Sequence, residues 1–138
     1  MKKNYADGKI KNREYQQITD FSNLVFKLPN TTISPTDIDG FMEFQGIVAF
    51  IIELKYGDND IVPAQEYTFK NVSKAMLLGG YEGVYTIVAN HNTPIGNDID
   101  AGNATIKKVW DGTKWITPPK PIKVRTFIKN ALKFHNIT

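Results

Sequence analysis

The stretch "IIELKYGDNDIVPAQ", Ile51 to Gln65, decides the fold. It begins inside the apolar run "IVAFII", stops at Glu53, and places Lys55 two residues later. Side chains alternate along a strand, so Glu53 and Lys55 project to one face while Ile52 and Leu54 project to the other. A nearly unbroken run of branched apolar residues predicts a strand buried on both faces. "GDND" reads as a turn, and Pro63 suits the first helical position, where a missing N–H costs nothing. From Pro63 to Leu78, the residues Tyr67, Phe69, Val72, Ala75, Met76 and Leu78 recur mostly at helical intervals, and Gly79-Gly80 supplies a stop. "GVYTIVAN" follows as a strand. Strand, helix, strand predicts a right-handed crossover joining two parallel strands.

Working outward, "TDIDGFMEF" reads as a strand that forms a hairpin with "GIVAFIIELKY" through Gln45-Gly46. Residues 9–27 place Ile10, Tyr15, Ile18, Phe21, Leu24 and Val25 at helical spacing, which predicts an amphipathic helix ended by Pro29 and "NTT". Downstream, "HNTPIGNDIDAGN" reads as a loop. "ATIKKVWDGTKWIT" predicts a hairpin, because Asp-Gly suits the turns that twisted strands prefer. "PPKP" breaks the chain, and "IKVRTFIKNALKFH" predicts an amphipathic basic helix. The expectation is an α/β fold in a single domain, 1–138. Its core spans about 9–90, and a C-terminal hairpin and basic helix span about 104–138.

A chain of 138 residues suits one domain and can bury a core without cross-links. It has no cysteine, which excludes disulfides, thiol nucleophiles and cysteine-ligated metal centres. "MKKNYADGKIKNREYQQ" has basic residues but no apolar signal core, and no apolar run reaches membrane-spanning length. The expectation is a cytoplasmic protein with no membrane partner. No GxxxxGK[ST] loop is present, so no nucleotide cofactor is expected.

The net charge of +3 is modest, but it is unevenly placed. From Asp37 to Glu66 the carboxylates Asp37, Asp39, Glu43, Glu53, Asp58, Asp60 and Glu66 face only Lys55. From Thr105 onward Lys107, Lys108, Lys114, Lys120, Lys123, Arg125, Lys129 and Lys133 face only Asp111. The basic segment reads either as a solvated helix face or as a phosphate-tracking surface beside an acidic pocket.

Asp37, Asp39, Phe41 and Glu43 share one strand face, so pairing of the two strands sets Asp39 beside Glu53. Carboxylates are hard ligands that suit Mg²⁺ or Mn²⁺. With the backbone carbonyl of Leu54 they would leave coordination positions open for water and a phosphate oxygen, the arrangement of metal-assisted phosphodiester hydrolysis. A neighbouring lysine would stabilise developing negative charge. Taken alone, the Glu-Leu-Lys triplet reads more readily as a solvated ion pair of little energetic weight. His91 in "NHN" has only His135 as a companion, which favours a structural histidine over a metal site. Trp110 and Trp115 flank the Asp-Gly turn, where packing across the hairpin is favoured over stacking on a base.

Asp39, then an apolar strand ending Glu53-Leu54-Lys55, resembles the PD-(D/E)xK nuclease superfamily. The continuation "VPAQ…LLGGYEGVYTIV" is similar to its virus-type replication and repair nuclease (VRR-NUC) branch, over roughly Pro35 to Val88. The resemblance implies a restriction-endonuclease-like core, a mixed sheet of α-β-β-β-α-β type flanked by helices. It implies that Asp39, Glu53 and the Leu54 carbonyl hold Mg²⁺ or Mn²⁺, that Lys55 is the catalytic lysine, and that Gln65 orders the site. Glu14 on the first helix is a further acidic candidate. The sequence reads "SPTDID" where the superfamily has Pro-Asp, so Asp37 competes with Asp39. Asp39 is favoured because Asp-Gly opens the strand. The implied activity is metal-dependent cleavage of branched or duplex DNA by a homodimer, and the resemblance points to a phage protein acting in the cytoplasm of a bacterial host. Lys107, Lys108, Lys123, Arg125, Lys129 and Lys133 would contact phosphates. The rival expectations are a non-catalytic protein of the same fold, binding nucleic acid or inhibiting a host factor, and a sequence-specific restriction enzyme.

Overall fold

The computed structural model describes residues 20–137. They divide into two compact units with a boundary between Pro35 and Thr36. In the first unit, β1 (Phe26–Leu28) pairs antiparallel with β2 (Thr31–Ile33). The helix expected over 9–27 is corrected where it is described. Residues 20–25 form turns, with the Asp20 carboxylate accepting from the Ser22 N–H and Phe21 C=O accepting from the Leu24 N–H. Pro29-Asn30, read as a helix stop, connects two strands. Proline presets φ at a turn position, and asparagine favours turns by bonding its own backbone. Residues 9–19, including Glu14, lie outside the described residues.

In the second unit, a five-stranded mixed sheet runs in the order β3-β4-β5-β6-β7. Its strands are β3 (Gly40–Phe44), β4 (Val48–Tyr56), β5 (Gly83–His91), β6 (Thr105–Trp110) and β7 (Trp115–Ile116). Helices α1 (Pro63–Leu78) and α2 (Val124–Phe134) pack against it. Two strands, β3 and β4, precede α1 in this unit. The β3-β4 hairpin turns at Gln45 and Gly46, whose φ values of 56° and 71° are the positive angles that a type I′ turn demands. Strand β5 lies parallel to β4, with Lys55 opposite Asn90 and Tyr56 opposite His91.

The apolar run of β4 is buried on both faces, as its composition demands. Val48, Phe50 and Ile52 join Val124, Ile128 and Ala131 of α2 in one cluster. Ile51 joins Phe69 of α1, Ile61 and Val88 in the other. Each fully buried branched or aromatic side chain contributes about 1.5–3 kcal/mol. Helix α1 meets the sheet through Phe69 and Ser73, whereas Tyr67, Val72 and Leu78 are exposed. Ser73 can face the sheet because its hydroxyl donates to the Phe69 carbonyl.

The β6-β7 hairpin is not a separate appendage, since β6 extends the main sheet beside β5. Its loop spans Asp111 to Lys114 and is not a two-residue Asp-Gly turn. The Asp111 carboxylate organises it by accepting from the backbone N–H groups of Thr113 and Lys114. Among the described residues, no helix is long and apolar enough to cross a membrane.

Candidate active site

The antiparallel register of β3 and β4 pairs Gly40 with Ile52, which carries Asp39 to the level of Glu53 at the end of the hairpin. The Leu54 N–H donates to Asp39 Oδ2 at 2.7 Å and fixes that carboxylate. In an extended strand a residue's N–H and C=O leave from the same edge. The Leu54 carbonyl therefore also faces the Asp39 side, beyond the end of β3. The geometry thus brings Asp39 to Glu53, and Asp37 has no hydrogen bond to these groups among the described residues.

Glu53 is only 4% exposed. Its Oε1 lies 3.7 Å from Lys55 Nζ. Its Oε2 is buried with no hydrogen-bond partner among the described residues. Burial pushes the Glu53 carboxyl up to about 7, and the neighbouring Asp39 carboxylate pushes it the same way; Lys55 and Gln65 pull it down less strongly. Lys55 Nζ in turn donates to Gln65 Oε1 at 2.9 Å. The turn after β4 thus returns the chain so that the first turn of α1 holds the lysine. No side chain caps that helix start, which leaves its N–H groups available to an anion.

The turn over residues 57–62 is itself pinned. Gly57 takes a φ of 61° and donates to His91 O at 2.8 Å. The Asn90 amide donates to Asn59 O at 3.0 Å. Lys107 Nζ donates to Asp58 O at 3.0 Å, and Lys108 Nζ lies 3.2 Å from Asp60 Oδ2. These contacts were not read from the sequence. A register shift in β6 beside Val88/Ala89 breaks strict alternation and lets consecutive lysines reach one turn.

The cations expected to contact phosphate therefore fall into two groups. Lys107 and Lys108 have intramolecular partners, and Lys108 also lies 4.2 Å from the Trp115 ring. Lys70 covers Trp110 at the same distance, so the packed tryptophan pair is roofed by cations. Lys123 immediately precedes α2, and Arg125, Lys129 and Lys133 lie at four-residue intervals along its exposed side. Helix α2 covers the Phe50 and Ile52 face of β4, opposite to the face of Glu53 and Lys55.

No family model, no curated protein and no solved structure matches this chain.

Proposed function

We propose that the chain is a metal-dependent endodeoxyribonuclease that hydrolyses phosphodiester bonds. The observation that carries the reading is the Glu53 carboxylate, buried beside Asp39 with one oxygen unpartnered among the described residues. Burying a carboxylate beside a second one is costly unless a cation compensates it. A hard divalent ion fits this donor set: Asp39, Glu53 and the Leu54 carbonyl would hold Mg²⁺ or Mn²⁺. When bound, such an ion acidifies water and offsets charge on the attacked phosphate.

The remaining groups divide the work. The Leu54 N–H keeps Asp39 oriented. Gln65 holds the Lys55 ammonium at the site, where it would stabilise negative charge on a phosphate oxygen or orient the attacking water. The uncapped start of α1 adds a positive potential for the phosphate. Arg125, Lys129 and Lys133 supply sequence-independent contacts to DNA backbone. The resemblance to VRR-NUC proteins extends the reading to branched DNA and to a homodimer, whose two-fold axis would present paired sites to both strands.

The test incubates the protein with a labelled four-way junction and with duplex, with and without Mg²⁺ or Mn²⁺. Metal-dependent nicking is expected, and Glu53→Gln should abolish it while DNA binding survives. Absence of cleavage on every DNA and RNA substrate with either metal would overturn the enzyme reading in favour of a non-catalytic binder.

A further inference from the structure

A polar pocket of about 480 Å³ opens beyond the end of β5, lined from Asn90 through the loop to Thr105. Its first lining residue, Asn90, is the register partner of Lys55, one strand spacing (about 4.8 Å) away. The volume lies within the range of sites for small organic groups.

The lining defines what it can take. Among the described residues its lining contains no lysine or arginine, and the Asp100 carboxylate there accepts from the Asn103 amide. The described lining thus offers no cationic side chain to a phosphate. The side-chain amides of Asn92 and Asn97 have no intramolecular partner among the described residues, so each offers both a donor and an acceptor. His91 Nδ1 accepts from the Thr93 N–H at 3.2 Å, which leaves the proton of the neutral ring on Nε2 as a further donor. Mixed donors and acceptors match the edge of a nucleobase. An aromatic ring stands at the same strand ends. Tyr56, immediately after Lys55, is 56% exposed and meets the His91 ring edge-on at 5.7 Å. A ring braced in this way is suited to stacking on a base.

We propose that this pocket and Tyr56 form a subsite for one unpaired nucleobase of the DNA strand being cut. The inference rests on the nuclease reading for its substrate. The sugar–phosphate would pass Lys55 and the start of α1, while the base turns past β5 into the amide-lined pocket. The site would then select an unpaired nucleotide and discriminate against an abasic one.

The experiment uses full-length Glu53→Gln protein without metal, so its readout does not depend on cleavage. The probe is a single-stranded oligodeoxynucleotide carrying one 2-aminopurine, compared with the same strand fully paired, with an abasic analogue at that position, and with the free 2-aminopurine deoxynucleoside. A fluorescence change is expected for the unpaired probe and not for the paired one. The abasic strand should bind about tenfold more weakly. Adding Tyr56→Ala should cost a similar factor, and Asn97→Ala about fivefold. Both residues are exposed, so neither change threatens folding, and a thermal melt checks that. Equal binding of the base-bearing and abasic strands, or a fluorescence change unaffected by both substitutions, would overturn the proposal even if wild-type protein cuts DNA. A response to the free nucleoside with none to the strand would overturn the assignment to the DNA substrate.

Discussion

The two ends of β5 each hold a buried titratable side chain, and the two give opposite accounts of their polar atoms. At the start of the strand, His135 reaches back from the end of α2 and places Nε2 2.7 Å from the Tyr85 hydroxyl and Nδ1 3.3 Å from Glu82 Oε1. A carboxylate can only accept when ionised, so Nδ1 carries a proton, and in the neutral ring Nε2 accepts from the tyrosine. Both ring nitrogens are used, and Tyr85 is packed between Phe50 and Phe127. At the far end, Glu53 is as deeply buried as His135 but leaves Oε2 without a partner among the described residues. A satisfied buried group stabilises one packing arrangement. An unsatisfied one imposes a cost that is offset only when something binds. The contrast separates a fastening from a site within one sheet.

The largest expected effect falls on the unsatisfied end. Glu53→Gln should lower metal-dependent cleavage by about 10³-fold or more. It should also raise the melting temperature of the metal-free protein, because a neutral amide has no buried charge to desolvate. That gain should be greater at pH 8 than at pH 5, measured by thermal melts at both. Loss of cleavage together with a lower melting temperature at pH 8 would make Glu53 structural, and the contrast between the two ends would collapse.

A second expectation follows from the raised Glu53 carboxyl. Its ordinary value is 4.5, and in the fold it is about 7. Between those values the folded state holds a proton that the unfolded state has released, so stability falls as pH rises. The contribution is fully present below about 4.5 and lost as pH passes about 7, on the order of 3 kcal/mol. Mg²⁺ should restore stability above that point, and proton release should accompany its binding near pH 6. Denaturant unfolding across pH, with and without Mg²⁺, measures both. A stability that is flat from pH 5 to 8 would remove the basis for the linkage.

The strand–helix–strand core was legible because local signals agreed. Pro63, helical spacing and Gly79-Gly80 fixed α1 at Pro63–Leu78, and the apolar run fixed β4 as a doubly buried strand. The grouping of Asp39, Glu53, Lys55 and Gln65 was legible because two periodicities, one strand and one helix start, aimed them together. Elsewhere the local signals misled. Phe21, Leu24 and Val25 fit a helical period, yet the chain over 20–28 takes turns and a strand, with Pro29-Asn30 making the hairpin. The tie of Lys107 and Lys108 to the 57–62 turn depends on a local break in strand alternation, which no spacing rule reveals. The Glu82–His135–Tyr85 cluster joins residues about fifty positions apart, and only the fold brings them together.

The satisfied end gives a smaller, metal-independent effect. A Cβ at Gly83 would fall 2.7 Å from His135 Nε2 and 2.9 Å from the Tyr85 ring. Both are pinned, so neither can give way cheaply. Gly83→Ala should destabilise the protein by about 1–3 kcal/mol through overpacking, and Mg²⁺ affinity should be unchanged. Denaturant unfolding and isothermal titration separate the two quantities. A change in metal affinity would couple the ends of β5 and blur the distinction between them.

The smallest effect tests how finely the site is held. Lys55 Nζ has Gln65 Oε1 at 2.9 Å and Glu53 Oε1 at 3.7 Å, so the glutamine is its closer anchor. Gln65→Ala removes that anchor from an exposed helix start and leaves the carboxylates in place. Cleavage should fall about tenfold, the value of one charge-assisted hydrogen bond, while the Mg²⁺ concentration giving half-maximal rate stays unchanged. Equality with Glu53→Gln would place Gln65 among the groups that hold the ion. No effect at all would mean that the Glu53 contact alone positions the lysine. Either outcome would redraw the boundary between the groups that bind and the groups that merely hold them in place.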